Sequence, residues 1–247
     1  MLWYKSWRES RMRFFLSLGV WMILCMSTIY RAKSGFPPPE RPDLPYSAWV
    51  WGSIYGNLNP TIFVILAMIF GLGGLQRERP VGTAPFTLNL PVSRTRLITV
   101  RALAGLIQIM VLAFIPALLI PTLSPLIAHQ SYAFTQAVQF GLLFFAWGMV
   151  AYSVGFLYSS LFGGEFTGTA VCVISPVVYR VFVASSATLQ DHPAFNYVTF
   201  MSGLPFIQSP VKVLIDKPLP AATLLILGSV AAMFLMCAAR ITEKLDF

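Results

Sequence analysis

Six apolar runs, each near the length that crosses a bilayer, restrict this chain to one kind of fold. They cover residues 13–30, 54–76, 98–122, 134–162, 167–187 and 219–239. A hydrocarbon core about 30 Å thick is crossed by roughly 20 apolar residues in a helix. In lipid, only helices and closed barrels satisfy every backbone N–H and C=O, and runs this long and continuous suit helices. Composition agrees: 57% of residues are hydrophobic and 11% charged, against about 45–50% and about 25% in globular chains. The expected fold is an all-α integral membrane protein, one six-helix transmembrane domain over residues 1–247. Pro116, Pro121 and Pro125 in the third run read as kinks, because neighbouring helices can re-satisfy the carbonyls that proline frees.

The net charge of +8 does not point to nucleic acid, because the cations cluster at the ends of apolar runs and not on one soluble face. Their distribution instead sets orientation. With the N-terminus inside, eleven lie in inner segments: Lys5, Arg8, Arg11, Arg13, Arg77, Arg79, Arg94, Arg96, Arg101, Arg240 and Lys244. Five lie outside: Arg31, Lys33, Arg41, Lys212 and Lys217. Both termini are expected in the cytoplasm. Residues 1–13 place Trp3, Trp7 and Phe14 at near-helical spacing with cations between them, which predicts an interfacial helix in the headgroup layer. The first run reads as a retained anchor, since no A-x-A site follows it before Arg31. Residues 31–53 read as an outer loop with an aromatic belt. Residues 188–218 are too apolar for a free loop and too interrupted for a span, which predicts an extracytoplasmic re-entrant segment.

The motifs of the common enzyme classes are missing. No G-x-x-x-x-G-K-[ST] loop is present, so this chain holds no ATPase motif. Gly71, Gly73 and Gly74 follow a membrane run and not a strand, which excludes a dinucleotide fingerprint. His129 and His192 lie in no metal-binding spacing. No G-x-S-x-G occurs. Cys25, Cys172 and Cys237 all fall in apolar runs and read as small apolar filler. The chain is expected to have no catalytic, metal or cofactor site of its own.

Chemistry concentrates between the second and third runs, where Arg77 to Arg101 holds five arginines against one acid. Pro80 and Gly82 turn the chain. A short helix can start near Thr83, with Pro85 in its first turn, where a missing N–H costs little. Phe86, Leu88 and Leu90 would give it apolar contacts, and Pro91 would end it. Ser93 stands where it can cap the third membrane helix, whose first turns carry Arg94, Arg96 and Arg101. On physical grounds alone, 77–97 is either a cytoplasmic coupling hairpin that transmits a push or a topology-setting basic loop.

Glu78, Gly82-Thr83 and Leu90-Pro91-Val92-Ser93-Arg94, followed by a long apolar helix, resemble the signature of type-2 ABC transporter permeases. That family typically shows an acidic residue, then Gly-Thr, then a Leu-rich turn and Pro-Val-Ser-Arg. The resemblance implies the type-2 ABC permease (exporter) fold. It also implies pairing with a second permease copy, as homodimer or heterodimer, and with two copies of a separate ABC ATPase subunit that binds ATP and Mg. Carried onto this chain, Glu78, Gly82, Thr83, Phe86, Pro91, Val92, Ser93 and Arg94 would contact the ATPase. Gly164 and Glu165, in the short inner connection, are candidates for a second, smaller contact. The departure is Ala84-Pro85, where family members often have a longer polar start to the helix. A bacterial inner (plasma) membrane fits the basic N-terminus and the Asn59-Pro60-Thr61 triplet, in which proline blocks glycosylation.

Polar residues within the runs are few. Arg180 lies in the fifth run, where a charge is either functional or a structural, snorkelling cation. With Gln108 and Gln139 it is a candidate for the translocation path. This weakly polar set suits a hydrophobic or amphipathic substrate. The alternative to a transporter is a membrane assembly or sensor protein that recruits a cytosolic partner through its basic hairpin. A secondary transporter would more often show paired acids near the midplane, which these runs lack.

Overall fold

A computed structural model describes residues 2–38, 42–56, 59–72, 93–162, 165–185 and 221–244. Every regular element among them is helical. In chain order these are α1 (Leu2–Gly35), α2 (Tyr46–Val50), a π-helical turn (Trp51–Tyr55) and α3 (Asn59–Gly71). They continue with α4 (Arg94–Ile127), α5 (Phe134–Leu161), α6 (Glu165–Ser185) and α7 (Ala221–Lys244). By length and hydropathy, four helices can cross a membrane, or five if α2, the π turn and α3 form one span bent by 40°. The chain is a multi-pass helical membrane protein.

Three expectations change. The interfacial helix over 1–13 and the first span over 13–30 are one uninterrupted helix of 34 residues, about 51 Å long. Gly19 is the sole glycine before Gly35 and no proline occurs before Pro37, so nothing breaks it. The second run does not form one helix from residue 54. It begins earlier, at Tyr46, and is interrupted after Gly56, whose backbone is extended. Pro60 lies in the first turn of α3, where its missing N–H costs little. The Asn59 Nδ2 bridges the break by donating to the Ser53 carbonyl. The fifth run forms α6, but its apolar part, Phe166–Phe182, is about 26 Å long against the roughly 30 Å core. It is therefore not counted with the full spans. The re-entrant segment expected over 188–218 lies outside the described residues.

The remaining runs form helices close to where the apolar pattern puts them. Ser93, in extended conformation, caps α4 by accepting a bond from the Arg96 N–H at 3.4 Å. All three prolines lie inside α4, which continues to Ile127. The Thr122 hydroxyl donates back to the Leu118 carbonyl at 2.6 Å, beside Pro121. His129, with φ of 54°, then turns the chain towards α5.

The centre of the bundle is α5, which packs on α3, α4 and α7. In its apolar window 61% of residues are buried, against 17% in α7. Glycine makes this possible. Gly141, Gly148 and Gly155 recur every seventh residue, the period of a helix-packing seam. A Cβ on Gly155 would lie 2.8 Å from the Met68 Cα, and one on Gly148 would lie 2.5 Å from Ile109 Cγ2. Around this seam Trp21, Phe63 and Phe144 form a ring cluster, with centroids 4.9–6.0 Å apart.

Candidate functional site

The geometry that bears on function lies where α3 ends and α4 begins, the two ends of the segment 73–92. The last carbonyls of any helix have no partner within that helix, and at a membrane boundary each must find another donor. The Ile69 carbonyl accepts the Leu72 N–H at 3.1 Å, and two arginines from other helices also donate at this end. Arg13 of α1 donates to the Ile69 carbonyl at 3.3 Å and also to the Leu72 carbonyl. Arg101 of α4 donates to the same Leu72 carbonyl at 3.4 Å. Both cations sit at the negative end of the α3 dipole, where positive charge is favoured.

The junction extends to α5. The Arg101 guanidinium lies 5.9 Å from the Phe156 ring centre, in cation–π range, and the Tyr152 hydroxyl donates to the Arg101 carbonyl at 3.3 Å. Close backbone approach holds α3 against α5, since a Cβ on Gly71 would lie 2.6 Å from the Gly155 carbonyl carbon. One turn before Arg13, the Ser10 hydroxyl receives a 2.6 Å bond from Gln108 Nε2 and joins α1 to α4. Four helices therefore meet within one layer, at the end that the charge distribution assigns to the cytoplasm.

The expected contact residues are only partly described. Glu78, Gly82, Thr83, Phe86, Pro91 and Val92 lie outside the described residues, as does Gly164. Ser93 is the α4 cap, Arg94 opens α4, and Glu165 opens α6. The three path candidates lie on three helices. Gln108 is buried on α4 facing Ser10, and its Oε1 has no hydrogen-bond partner. Gln139 is half-buried on α5, its Oε1 also without a partner. Arg180 donates from α6 to the Thr61 hydroxyl on the first turn of α3 at 2.9 Å. Gln108 and Arg180 thus each tie one helix to another.

Arg13 and Arg101 read from sequence as headgroup-facing flank charges, and their turn inward onto α3 was missed. A signal existed in the pattern: both runs that neighbour the second one carry arginine near the membrane boundary at which it ends. The outer end of the bundle is also built differently from the expected loop and belt. Tyr46 shares a 2.6 Å hydrogen bond with Ser124, and Phe36, Tyr46 and Tyr132 stack edge to face. Burial raises the Tyr132 phenol above the ordinary tyrosine range, and the Tyr46 phenol beside it adds to the effect. Tyr132 therefore stays neutral. Among the described residues, no group of three His, Cys, Asp or Glu could hold a metal ion.

By fold and by helix length, this is a multi-pass helical membrane protein. No family model, curated protein or solved structure matches the chain.

Proposed function

We propose that this chain is the transmembrane permease subunit of an ATP-driven exporter. In this reading it acts with a second permease copy and two copies of a separate ABC ATPase, in a bacterial inner membrane. The observation that carries the reading is the hairpin sequence Glu78, Gly82-Thr83 and Leu90-Pro91-Val92-Ser93-Arg94 between two membrane helices. Two features of the fold support it. Ser93 caps α4, so the last residues of the signature lead directly into a long membrane helix. Leu72 and Arg101, on either side of the segment, are bonded to each other, so a load on 73–92 reaches α3 and α4 together. ATP and Mg would be bound by the ATPase, and closure of the ATPase dimer would drive the helices. The few polar side chains in the spans favour a hydrophobic or amphipathic cargo.

The test is the composition of the tagged protein extracted in mild detergent from its native cells. The expected result is a two-to-two complex with a P-loop ATPase. Phe86→Asp and Gly82→Trp are each expected to abolish that association while membrane insertion persists. A lone oligomer, under conditions that keep other transporters intact, would overturn the reading in favour of an assembly or sensor protein. Survival of the complex in both variants would overturn the role of the hairpin.

A further inference from the structure

A guanidinium at a membrane boundary ordinarily reaches for phosphate and water, as the long arginine stem allows. Arg13 and Arg101 turn the other way. Both are half-buried, and both donate to the carbonyl of Leu72, the last described residue before 73–92. We propose that they form a cationic latch that locks the inner ends of α1, α3 and α4 into one body. Its mechanical consequence rests on the exporter reading: a push on 73–92 would move the three helices together and would not splay α3 from α4.

The geometry explains why two arginines serve. Leu72 and Ser93 are the two roots of the segment. Arg101 lies eight residues beyond Ser93, about 12 Å up α4. Its bond to Leu72 ties the end of α3 to a point about two turns inside α4. Pulling the roots apart must break that bond. Arg13 serves the third helix by donating from Nη1 to two carbonyls one turn apart, those of Ile69 and Leu72, from α1. The guanidinium keeps its charge and its planar, fixed donor geometry, whereas a lysine ammonium is a compact charge on a flexible stem. The contacts around the latch are stiff. The Gly71–Gly155 approach leaves no room for side chains between α3 and α5, and Tyr152 and Phe156 hold Arg101 from the α5 side. The Gln108–Ser10 bond adds a second tie between α1 and α4 about one turn away. Lifting any one of these inner ends therefore breaks polar bonds to two others.

The experiment is hydrogen exchange on the full chain in lipid nanodiscs, read at the amides of residues 66–72 and 8–14. Arg13→Gln and Arg101→Gln are each expected to speed exchange about ten- to hundredfold at 66–72, the range set by loss of one charge-assisted bond. Arg13→Gln is expected to do the same at 8–14. Arg13→Lys and Arg101→Lys keep the charge but not the fork, and are expected to give an intermediate increase of about two- to fivefold. This intermediate response separates a latch from a packing role, in which Lys would behave like Gln. If the Gln variants fail to fold, the Lys variants still decide, and wild-type exchange in them overturns the latch. Wild-type exchange in the Gln variants also overturns it. In complex with the ATPase, the Gln variants are expected to hydrolyse ATP without moving cargo. If wild type carries no ATPase yet the exchange pattern appears, the exporter reading fails and the latch stands.

Discussion

Helix α3 is held by arginine at both ends, and the two arrangements differ in kind. At its inner end, Arg13 and Arg101 donate to carbonyls at the negative pole of the helix, so dipole and hydrogen bond act in the same direction. At its outer end, Arg180 meets the positive pole, where the dipole opposes a cation. There the described contact is to a side-chain acceptor, Thr61 Oγ1 at 2.9 Å. Packing follows the same division. The inner half lies backbone to backbone on α5 through Gly71 and Gly155, whereas the outer end begins just after the break at Gly56. The α1, α4 and α5 helices converge on the inner end, and the shorter α6, with a mostly exposed apolar face, runs along α3 from Leu72, beside Gly168, to Thr61, where Arg180 binds.

The harshest way to break this contrast is Gly155→Leu. Its side chain would occupy the space of the Met68 backbone, and the expected cost is about 3 kcal/mol or more, as for severe overpacking. Loss of a monodisperse peak in gel filtration would register it. A variant that melts like wild type would show that α3 and α5 do not approach so closely. Arg180→Met is expected to cost less, about 1–2 kcal/mol, because it removes one bond to a hydroxyl at a half-buried site. A detergent melt measures that loss. A cost as large as that of Arg101→Gln would erase the difference between the two ends. The smallest effect belongs to Ser93→Ala, at about 0.5–1 kcal/mol, because the cap bond is long and exposed. Circular dichroism on heating reads it, and a larger loss would show that the start of α4 depends on its cap more than on its packing.

Helix positions were legible wherever apolar length alone decides. The run at 134–162 became Phe134–Leu161, and 219–239 became the centre of Ala221–Lys244. The α4 cap was legible too, because Ser93 precedes the basic first turn of an apolar run. The break in the second run was not read, although Gly56 and Pro60 carry it. Their effect depends on Asn59 finding the Ser53 carbonyl across the gap, a contact that hydropathy does not encode. The charges at the inner boundary were located correctly but their direction was missed. A flank arginine points to phosphate or to carbonyl according to which helix end lies beside it. Of the candidate site, Ser93 fell where its spacing put it, and Gln108 and Arg180 proved to be joints between helices. The signature residues from Glu78 to Val92 lie outside the described residues, so their part of the reading rests on sequence resemblance.

Sequence by itself determined the solvent of this protein and the approximate place of most of its apolar helices, while it overcounted the spans, giving six where four or five helices are long enough. Placement is a local property: a helix either buries enough apolar surface to remain in lipid or does not. The tertiary structure decided which helix became the hub and what the boundary arginines hold. Glycine spacing on α5 sets how closely neighbours approach, and in that packing the carbonyls at the end of α3 lie within reach of Arg13 and Arg101. Partners so far apart in the chain meet only once the helices have packed.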